Sequence, residues 1–371
     1  MAGKIDRISI KGFKSIRELV DFELHDLNVI VGANGAGKSN FIQIFRMVHE
    51  MALKGFQQFI VNAGGADAFP FNGLKETPEI EVDFSFGQNA YRFKLTPTAD
   101  EKFSIAEYGR YLDYSWSCYG MGLLESRLQD IRDERSARYP GSPDIGHYAY
   151  GAISRWTVYH FHDTSATAPM RRSEIVEDCE KLRNDGGNIA PFLLAMRNGD
   201  ARQRESYKRI VETVRQVTPF FDDFKLDVVK VGVADKVKLS WRQKGSDYPF
   251  QPYHFSDGTI RFICLAAALL QPSPPSTIII DEPELGMHPM AISLLADMIS
   301  TAARHTQVVV ATQCPQLIDH FGVEDLIVAR RSEGASVFER LDPTELKDWL
   351  EDYSLGELWQ KNIINGGPAH E

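Results

Sequence analysis

The residues best suited to chemistry lie together in Gly32–Ser39, whose sequence GANGAGKS matches the pattern G-x-x-x-x-G-K-[ST]. Glycines allow successive backbone N–H groups to point inward at phosphate oxygens. A lysine at this position reaches the β- and γ-phosphates of a nucleotide, and the hydroxyl that follows it holds Mg²⁺. The sequence therefore predicts a nucleotide site formed by Gly32, Asn34, Gly35, Ala36, Gly37, Lys38 and Ser39.

The elements on either side of this segment support the prediction. Leu27–Val31 is a short apolar run typical of a buried strand, and the apolar spacing of Phe41–Phe45 is typical of a helix. A helix that begins at the lysine adds its positive N-terminal end to the phosphate site. The alternative is a glycine-rich turn with a chance lysine, which would not explain a strand before it and a helix after it.

Composition and charge limit the classes of protein to consider. The 371 residues are 43% hydrophobic and 25% charged, which allows one large globular domain or two. The formal net charge of -10 argues against a broad basic face for nucleic acid. Any contact with nucleic acid is therefore expected to be local or supplied by a partner.

Nothing in the sequence predicts export or a membrane span. Met1–Phe13 alternates apolar and charged residues, which is typical of a strand and not of a signal peptide. The longest apolar run, Phe262–Leu270, is too short to cross a bilayer. Four cysteines are scattered along the chain: Cys118, Cys179, Cys264 and Cys314. Disulfides and metal-binding cysteine pairs are therefore not expected, and the expected compartment is a reducing cytoplasm.

The chain is predicted to divide into four parts with an α/β fold and a mixed central sheet. Residues 1–98 are expected to form an N-terminal lobe with the glycine-rich segment and an antiparallel β subdomain. Residues 99–253 are expected to be a helical and β insertion that serves as an arm or lid. Residues 254–341 alternate strands and helices as a C-terminal lobe, and residues 342–371 form a helical tail.

Several local predictions lie within these parts. Gly55–Gly73 is rich in glycine and is predicted to be a loop with little regular structure. Ser126–Arg138 mixes charges densely, as an exposed helix does. Phe224–Val233 and Lys236–Trp241 are predicted to form a hairpin. No heptad pattern is sustained over several turns, which excludes a long coiled-coil arm.

Four motifs stand in order along the chain. They are the P-loop, Ser256-Asp257-Gly258, an apolar strand that ends in Asp281-Glu282-Pro283, and a strand that ends in Thr312-Gln313. Together with the N-terminal sequence KIDRISIKGFKSIRELVDFELHDLNVIVGANGAGKSN, they resemble the ABC-type ATPases of the RecF, SMC and OLD clan. The chain is most similar to the clan's compact bacterial AAA-type members, which lack long coiled coils.

This resemblance covers Ile5–Leu95 and Phe255–Arg340 and is weak between them. It implies an ABC-type ATPase head that uses ATP and Mg²⁺ as cofactors. It also adds Asn40, which follows the P-loop serine, to the expected ATP site.

Asp281 and Glu282 follow four β-branched residues, Thr277–Ile280, at the end of a predicted buried strand. Asp281, beside the P-loop strand, is expected to anchor Mg²⁺ through its water shell. Glu282 is expected to be the general base that polarises the attacking water. The alternative is a solvated strand end, which such a uniformly apolar strand makes less favoured.

Ser256-Asp257-Gly258 departs from the clan's usual Ser-Gly-Gly, because Asp257 replaces the first glycine. Ser256 and the Gly258 amide still open a helix, whose positive end can bind a γ-phosphate. In the family that phosphate belongs to the other subunit, so the resemblance implies a homodimer with two shared ATP sites. The alternative is that Ser256 is a simple helix cap.

The resemblance implies roles for three further residues. His288 lies in Glu284–Pro289, the segment that corresponds to the family's D-loop, which crosses the dimer. It either senses the opposite site or caps the following helix. Gln313 takes the place of a switch histidine. Because a neutral amide orients water or a γ-oxygen without carrying charge, a slow, switch-like ATPase is favoured. Gln57 and Gln58 are candidates, by position only, for the glutamine that contacts Mg²⁺.

Two other groups have open interpretations. His160 and His162 would share one face of a strand, which permits a metal site, yet no further ligand cluster is evident and hydrogen-bonding histidines are favoured. A set of basic residues could face either a phosphate backbone or solvent, and solvent is favoured because Glu205 and Glu212 interrupt it. The set comprises Arg197, Arg202, Arg204, Lys208, Arg209 and Arg215.

The favoured hypothesis is an ATP-gated dimeric clamp or switch that acts on DNA or on a nucleic-acid-bound partner, in genome maintenance or anti-phage defence. The main alternative is an ATPase that regulates a separately encoded nuclease or toxin. Gln313 and the Ser-Asp-Gly sequence disfavour a transporter ATPase. The lack of Asp-x-Asp after Phe255 disfavours a nuclease within the same chain, and an intact Glu282 disfavours a scaffold without enzymatic activity.

Overall fold

A computed structural model describes residues 3–112, 114–138, 145–364 and 366 of the protein. The described residues form two six-stranded sheets and two smaller ones. The strands are β1 Arg7–Phe13, β2 Ile16–Glu23, β3 Leu27–Val31, β4 Ile80–Phe86, β5 Asn89–Pro97, β6 Phe103–Tyr111, β7 Ser117–Leu123, β8 Trp156–Tyr159, β9 Glu174–Ile175, β10 Phe221–Lys225, β11 Val229–Val231, β12 Ala234–Val237, β13 Ser240–Gln243, β14 Thr277–Asp281, β15 Gln307–Thr312, β16 Leu326–Ser332 and β17 Ala335–Arg340.

Helices pack against both faces of the central sheet. They are α1 Lys38–Ala52, α2 Phe56–Asn62, α3 Leu128–Arg138, α4 Ile145–Ile153, α5 Ile189–Asn198, α6 Ala201–Val217, α7 Asp257–Leu270, α8 Pro289–Ala303, α9 Pro315–Ile318, α10 Pro343–Leu346 and α11 Leu355–Gln360. None of the helices in the described ranges is both long and apolar enough to span a membrane.

The central sheet has the order β17-β16-β3-β15-β14-β8. All neighbouring strands are parallel except β17, which is antiparallel to β16. Alternate residues of a strand point to opposite faces. Val29 and Val31 therefore enter the core formed with α5, α6, α7 and α8, while Ile30 enters the core formed with α1 and the antiparallel sheet. The P-loop strand is thus buried on both faces, as the predicted mixed α/β fold requires.

The second large sheet is antiparallel, with the order β2-β1-β4-β5-β6-β7. The predicted hairpin of β4 and β5 is confirmed. The sheet continues through β6 and β7, so the predicted boundary at residue 98 falls inside it, and β8 of the predicted insertion joins the central sheet. The apolar alternation of β6 is hard to detect because one inward position is Glu107, a buried carboxylate that accepts a hydrogen bond from Tyr91 Oη at 2.6 Å.

Two local predictions are corrected. The segment Gly55–Gly73 is not irregular throughout, because it contains α2 and a short 3-10 turn at Ala66–Ala68. Phe56 and Ile60, one helical turn apart, are both fully buried, and this burial stabilises a helix that glycine content argued against. The predicted hairpin around residues 224–241 is present but interrupted, with β10 paired to β13 and β11 paired to β12.

The C-terminal tail packs against the central sheet. In α11, Leu358 and Trp359 are buried, and the Gly356 amide donates to Asp319 Oδ1 at 2.6 Å. Beyond this helix, the Gly366 carbonyl accepts a hydrogen bond from the Ala33 amide at 2.8 Å. The tail therefore reaches the first residues of the P-loop.

Candidate functional site

The candidate site lies at the carboxyl edge of the central sheet, where ligands of open α/β sheets usually bind. The parallel strands β3, β15, β14 and β8 all end at this edge. Gly32 follows β3, Thr312 ends β15, Asp281 ends β14 and His160 follows β8. Residues far apart in the chain are thereby brought together.

The P-loop conformation depends on two kinds of glycine. Gly35 and Gly37 have φ values of +79° and +109°, in the left-handed region that side chains rarely adopt. A Cβ at Gly37 would also lie 2.1 Å from Ser336 Oγ, and one at Gly32 would lie 2.4 Å from the Ala329 carbonyl oxygen. Strands β16 and β17 therefore pack directly on the loop and leave no room for side chains there.

Lys38 begins α1 and is only 5% exposed. Its Nζ donates to the carbonyl oxygens of Gly32 at 2.6 Å and Ala33 at 3.2 Å. Burial lowers the pKa of the ammonium, whereas the negative charges of Glu282 and Asp281, and of Glu284 beyond them, oppose that shift. The lysine thus lies within the electrostatic reach of the carboxylates that end β14, bonded to neutral carbonyls that phosphate oxygens can replace.

Asp281 and Ser39 have the properties of Mg²⁺ ligands. Asp281 Oδ1 is buried and accepts no hydrogen bond from any described residue. An unpartnered buried carboxylate oxygen is costly unless a cation or water pairs with it. Ser39, in the first turn of α1, has an exposed side chain. The donor set of hydroxyl and carboxylate oxygens suits a hard cation that keeps several waters. Beside Ser39, Asn40 Nδ2 donates to Ser15 Oγ at 2.7 Å, so this side chain braces the start of α1.

Glu282 is held in an unusual conformation beside Gln313. Its φ of +45° lies in the left-handed region, a strain that is often found at functional sites. Its amide donates to the Ala311 carbonyl at 2.8 Å, and its Oε1 accepts from Gln313 Nε2 at 3.3 Å. The amide of Gln313 therefore orients the carboxylate expected to act as the base.

Glu284 is a site residue that the sequence did not single out for a role. It is 8% exposed, and its Oε1 accepts from Thr312 Oγ1 at 2.6 Å, which joins the ends of β14 and β15. Burial raises the pKa of this carboxyl.

A family model described as "AAA domain, putative AbiEii toxin, Type IV TA system" matches residues 27–319. The chain belongs to this family of AAA ATPases. The match includes both the P-loop and the acidic end of β14, and it confirms the predicted resemblance to compact ATPases of the RecF and SMC type. No curated protein sequence matches the chain.

Two solved SMC head structures share the fold of this AAA ATPase. One is the SmcHead bound to the C-winged helix domain of ScpA, with a TM-score of 0.55, 16% identity and coverage of 93% of this chain and 99% of that chain. The other is a Smc head with an extended coiled coil bound to the C-terminal domain of ScpA derived from Pyrococcus furiosus, with a TM-score of 0.56, 16% identity and coverage of 94% and 98%. At this identity the likeness shows the P-loop ATPase head fold alone.

The Ser256-Asp257-Gly258 segment of this AAA ATPase lies at the start of α7. Ser256 Oγ accepts from the Thr259 amide at 3.2 Å, so the residue is a helix cap, as the simpler interpretation predicted. A Cβ at Gly258 would lie 2.2 Å from the Gly286 carbonyl oxygen, because the D-loop (Glu284–Pro289) packs on this glycine. Within the described residues, neither Ser256 nor Gly258 hydrogen-bonds to the P-loop of its own chain.

His288 and Gln57 have clear structural contacts. His288 precedes α8, and its Nδ1 accepts from the Met290 amide at 3.3 Å, so it caps that helix. Gln57 lies on α2, where its Nε2 donates to the carbonyl oxygens of Phe103 at 2.8 Å and Leu124 at 2.6 Å. The structure uses Gln57 to join α2 to β6 and β7 and does not bring it to Asp281.

Two histidines lie at the site edge beside the end of β14. His162 Nε2 donates to the Asp281 carbonyl oxygen at 2.9 Å, and the rings of His160 and His162 lie 4.1 Å apart. No group of three or more His, Cys, Asp or Glu side chains that could hold a metal ion occurs in the described part of the chain. In the sequence, Trp156, Val158 and His160 alternate as they do in a strand, which predicts β8 but not its place in the sheet.

Proposed function

We propose that the protein binds ATP with Mg²⁺ at the P-loop and hydrolyses it slowly. The observation that carries this proposal is the convergence of Lys38, Asp281 and Glu282 at one edge of the sheet. Ser39 and Asp281 would hold Mg²⁺, which neutralises charge on the phosphates. Glu282 would accept the proton of the attacking water, and the neutral amide of Gln313 holds its carboxylate in place. Membership of the AAA ATPase family supports this reaction.

The protein works as a homodimer in the cytoplasm, with each ATP site completed by Ser256 and Gly258 of a second copy. The positive end of α7 is available to a phosphate that its own P-loop does not present. Asp257 would repel that phosphate, but its carboxylate is paired with Arg171 at 2.9 Å. Beside it, Leu285 of the D-loop and Met290 in the first turn of α8 are 37% and 56% exposed, and such apolar side chains suit a protein interface.

Replacing the general base, Glu282, tests both the proposed hydrolysis and the proposed dimer with shared ATP sites. Glu282→Gln keeps the size and the hydrogen bond to Gln313 but cannot accept a proton, so ATP turnover should fall on the order of 100-fold or more. Sedimentation velocity of this variant with ATP and Mg²⁺ should show a dimer, and with ADP a monomer. Lys38→Ala is the control, which should lose ATP binding and remain monomeric. A Glu282→Gln protein that binds ATP and stays monomeric contradicts the shared site.

The dimer acts as a switch or clamp on DNA or on a partner bound to nucleic acid. Support comes from α6, where Arg202, Lys208 and Arg209 are exposed and form no ion pair with a described residue. A groove of about 280 Å³ gathers Arg202 and Arg209 with His305, and one carboxylate, Glu205, also lines it. Such a cluster is the local basic contact that an acidic protein needs for a phosphate backbone.

DNA binding can be measured by fluorescence anisotropy of a labelled duplex in the presence of ATP. The double variant Arg202→Ala/Arg209→Ala should bind more weakly, and the slope of log K against log salt should shrink by about 2. The matched control is Arg330→Ala, an arginine that is already paired with Glu339 at 2.7 Å.

Regulation of a separately encoded toxin or nuclease is the second candidate, because the family description names a toxin system. Growth of cells that express the protein together with the genes beside its own discriminates the two. Toxicity that depends on Lys38 but not on Arg202 and Arg209 favours regulation of a toxin or nuclease over direct DNA binding.

A further inference from the structure

The histidine segment, His160–Thr164, leaves β8 and follows the sheet edge on which the nucleotide site lies. The His160 amide donates to the Asn184 carbonyl at 2.8 Å, which ends the strand. His162 Nε2 donates to the main-chain carbonyl of Asp281 at 2.9 Å. The segment is thereby bonded to the end of β14 that carries the metal-binding and catalytic carboxylates.

Arg261 joins this segment to two other loops. It lies near the start of α7 and is 6% exposed. Its Nε donates to the Phe161 carbonyl at 2.9 Å and its Nη2 to the His162 carbonyl at 3.2 Å. Its Nη1 donates to the Leu285 carbonyl in the D-loop. One side chain therefore holds α7, the histidine segment and the D-loop together.

Arg171 makes a second connection, to the signature loop (Pro252–Gly258). Its side chain is 6% exposed. Nε donates to the Thr164 carbonyl at 2.9 Å, and Nη1 donates to the carbonyls of Pro252 at 2.6 Å and Phe255 at 3.1 Å. Nη2 pairs with Asp257 Oδ1 at 2.9 Å. The end of the histidine segment and both ends of the signature loop are thus bonded to one guanidinium.

Burying these two arginines in the protein interior is energetically unfavourable compared with burying apolar side chains. Burying a charge costs free energy unless an opposite charge compensates it, and apolar side chains of similar volume often do better. Among their described hydrogen-bond partners the only carboxylate is that of Asp257, which is 68% exposed. All the others are neutral carbonyl oxygens. What the arginines supply, and apolar side chains could not, is directional bonding among three loops.

We propose that the histidine segment, with Arg171 and Arg261, couples the nucleotide site to the signature loop and D-loop of the same subunit. A shift at the end of β14 moves His162 through the Asp281 carbonyl. Arg261 and Arg171 carry that shift to Leu285 and to the signature loop, and so set where Ser256 and Gly258 stand. This inference rests on the proposed function, because Ser256 and Gly258 matter through the second subunit's ATP.

The first test measures coupling in the monomer, without dimerisation. Hydrogen exchange of residues 252–258 is followed with and without ADP and Mg²⁺, at a concentration where sedimentation shows a monomer. In the wild-type protein, nucleotide should slow exchange in this loop. His162→Ala, which removes the bond to Asp281, should abolish that slowing although the residue does not touch the loop. His162→Gln should restore it, because its side-chain N–H can donate to the same carbonyl.

The second test measures dimerisation with every variant in the Glu282→Gln background. Arg171→Ala should bind a fluorescent ATP analogue within about two-fold of its parent, yet its dimer should dissociate on the order of 10-fold more readily. Arg172→Ala is the matched control, because this neighbouring arginine is exposed and its one hydrogen bond to a described residue is to the Thr167 carbonyl. It should change neither quantity. Thermal melting shows whether each variant is folded.

The outcomes separate the two proposals. If Glu282→Gln binds ATP but does not dimerise, the shared ATP site is wrong, whatever the exchange data show. If it dimerises, but His162→Ala behaves as wild type in hydrogen exchange, the coupling is overturned while the dimer stands. Equal dimer affinities for Arg171→Ala and Arg172→Ala also overturn it.

Discussion

The P-loop and the signature loop are built alike but anchored differently. Each precedes a helix, and each contains a glycine against which another chain segment packs: Gly37 against Ser336, and Gly258 against Gly286. In the P-loop, the polar side chains either bond within the loop, as Lys38 does, or are exposed, as Ser39 is. In the signature loop, Asp257 and two carbonyls are held by an arginine from elsewhere in the chain.

This difference indicates what each loop can respond to. The P-loop follows β3, and β16 and β17 of the same sheet pack directly on it, so its shape is fixed by the central sheet. The signature loop is positioned by Arg171 and Arg261, so its place depends on whatever moves the histidine segment. A site divided between one rigid loop and one adjustable loop is suited to a switch.

The largest effect is expected from filling the P-loop. Gly37→Ala places a methyl 2.1 Å from Ser336 Oγ at a φ of +109°, so the loop must deform. We expect ATP turnover to fall on the order of 100-fold and the free energy of unfolding to fall by about 2–3 kcal/mol. A steady-state assay of ATP hydrolysis and denaturant unfolding measure these changes.

Gly35→Ala is the matched control for this substitution. Gly35 also has a positive φ, +79°, but a Cβ there meets no atom within 4 Å. The free energy of unfolding should fall only by the backbone cost, about 1 kcal/mol. Equal effects at Gly35 and Gly37 would show that close packing by β17 does not shape the P-loop.

A smaller and different effect is expected in the signature loop. Gly258→Ala places a methyl 2.2 Å from the Gly286 carbonyl, so the D-loop must move. We expect ATP binding to the monomer to persist, and turnover and dimer affinity to fall on the order of 10-fold. Turnover that rises linearly with protein concentration, as in a monomeric enzyme, would contradict this expectation.

Glu284 provides a pH test of the junction between β14 and β15. Burial raises the pKa of this carboxyl in the folded protein, so its contribution to stability is lost as pH rises from the ordinary value of 4.5 through the folded pKa. Glu284→Gln keeps an acceptor for Thr312 without the charge. Its melting temperature should exceed that of wild type by about 2 °C at pH 8, with a smaller difference near pH 5. A difference that is independent of pH would show that the charge is not responsible.

The smallest effect on the site is expected at Gln57. Gln57→Ala removes hydrogen bonds to Phe103 and Leu124 and should cost about 1–2 kcal/mol of stability. The Mg²⁺ concentration for half-maximal turnover should not change. A marked rise in that concentration would show that Gln57 contributes to the Mg²⁺ site.

The predictions that succeeded rest on local patterns. The strand before the P-loop, the helix after it and the acidic end of β14 each depend on residues within a few positions, because hydrophobic period and glycine content act locally. The hairpin of β4 and β5 was also predicted from local sequence, and the structure confirms it. By contrast, β6 was missed because Glu107 interrupts its apolar face, and this buried carboxylate is stabilised by hydrogen bonds from Tyr91, on the adjacent strand, and from the Arg127 amide.

By itself, the sequence determined the nucleotide-binding loop, the strand that carries Asp281 and Glu282, and the α/β class. These are set by local backbone preferences and by which side chains avoid water. Only the tertiary structure decided that β8 lies beside β14, which places His162 at the main-chain carbonyl of Asp281. Strand pairing across more than a hundred residues depends on the burial of whole faces, as Trp156 shows between Phe45 and Phe84, and no local pattern encodes it.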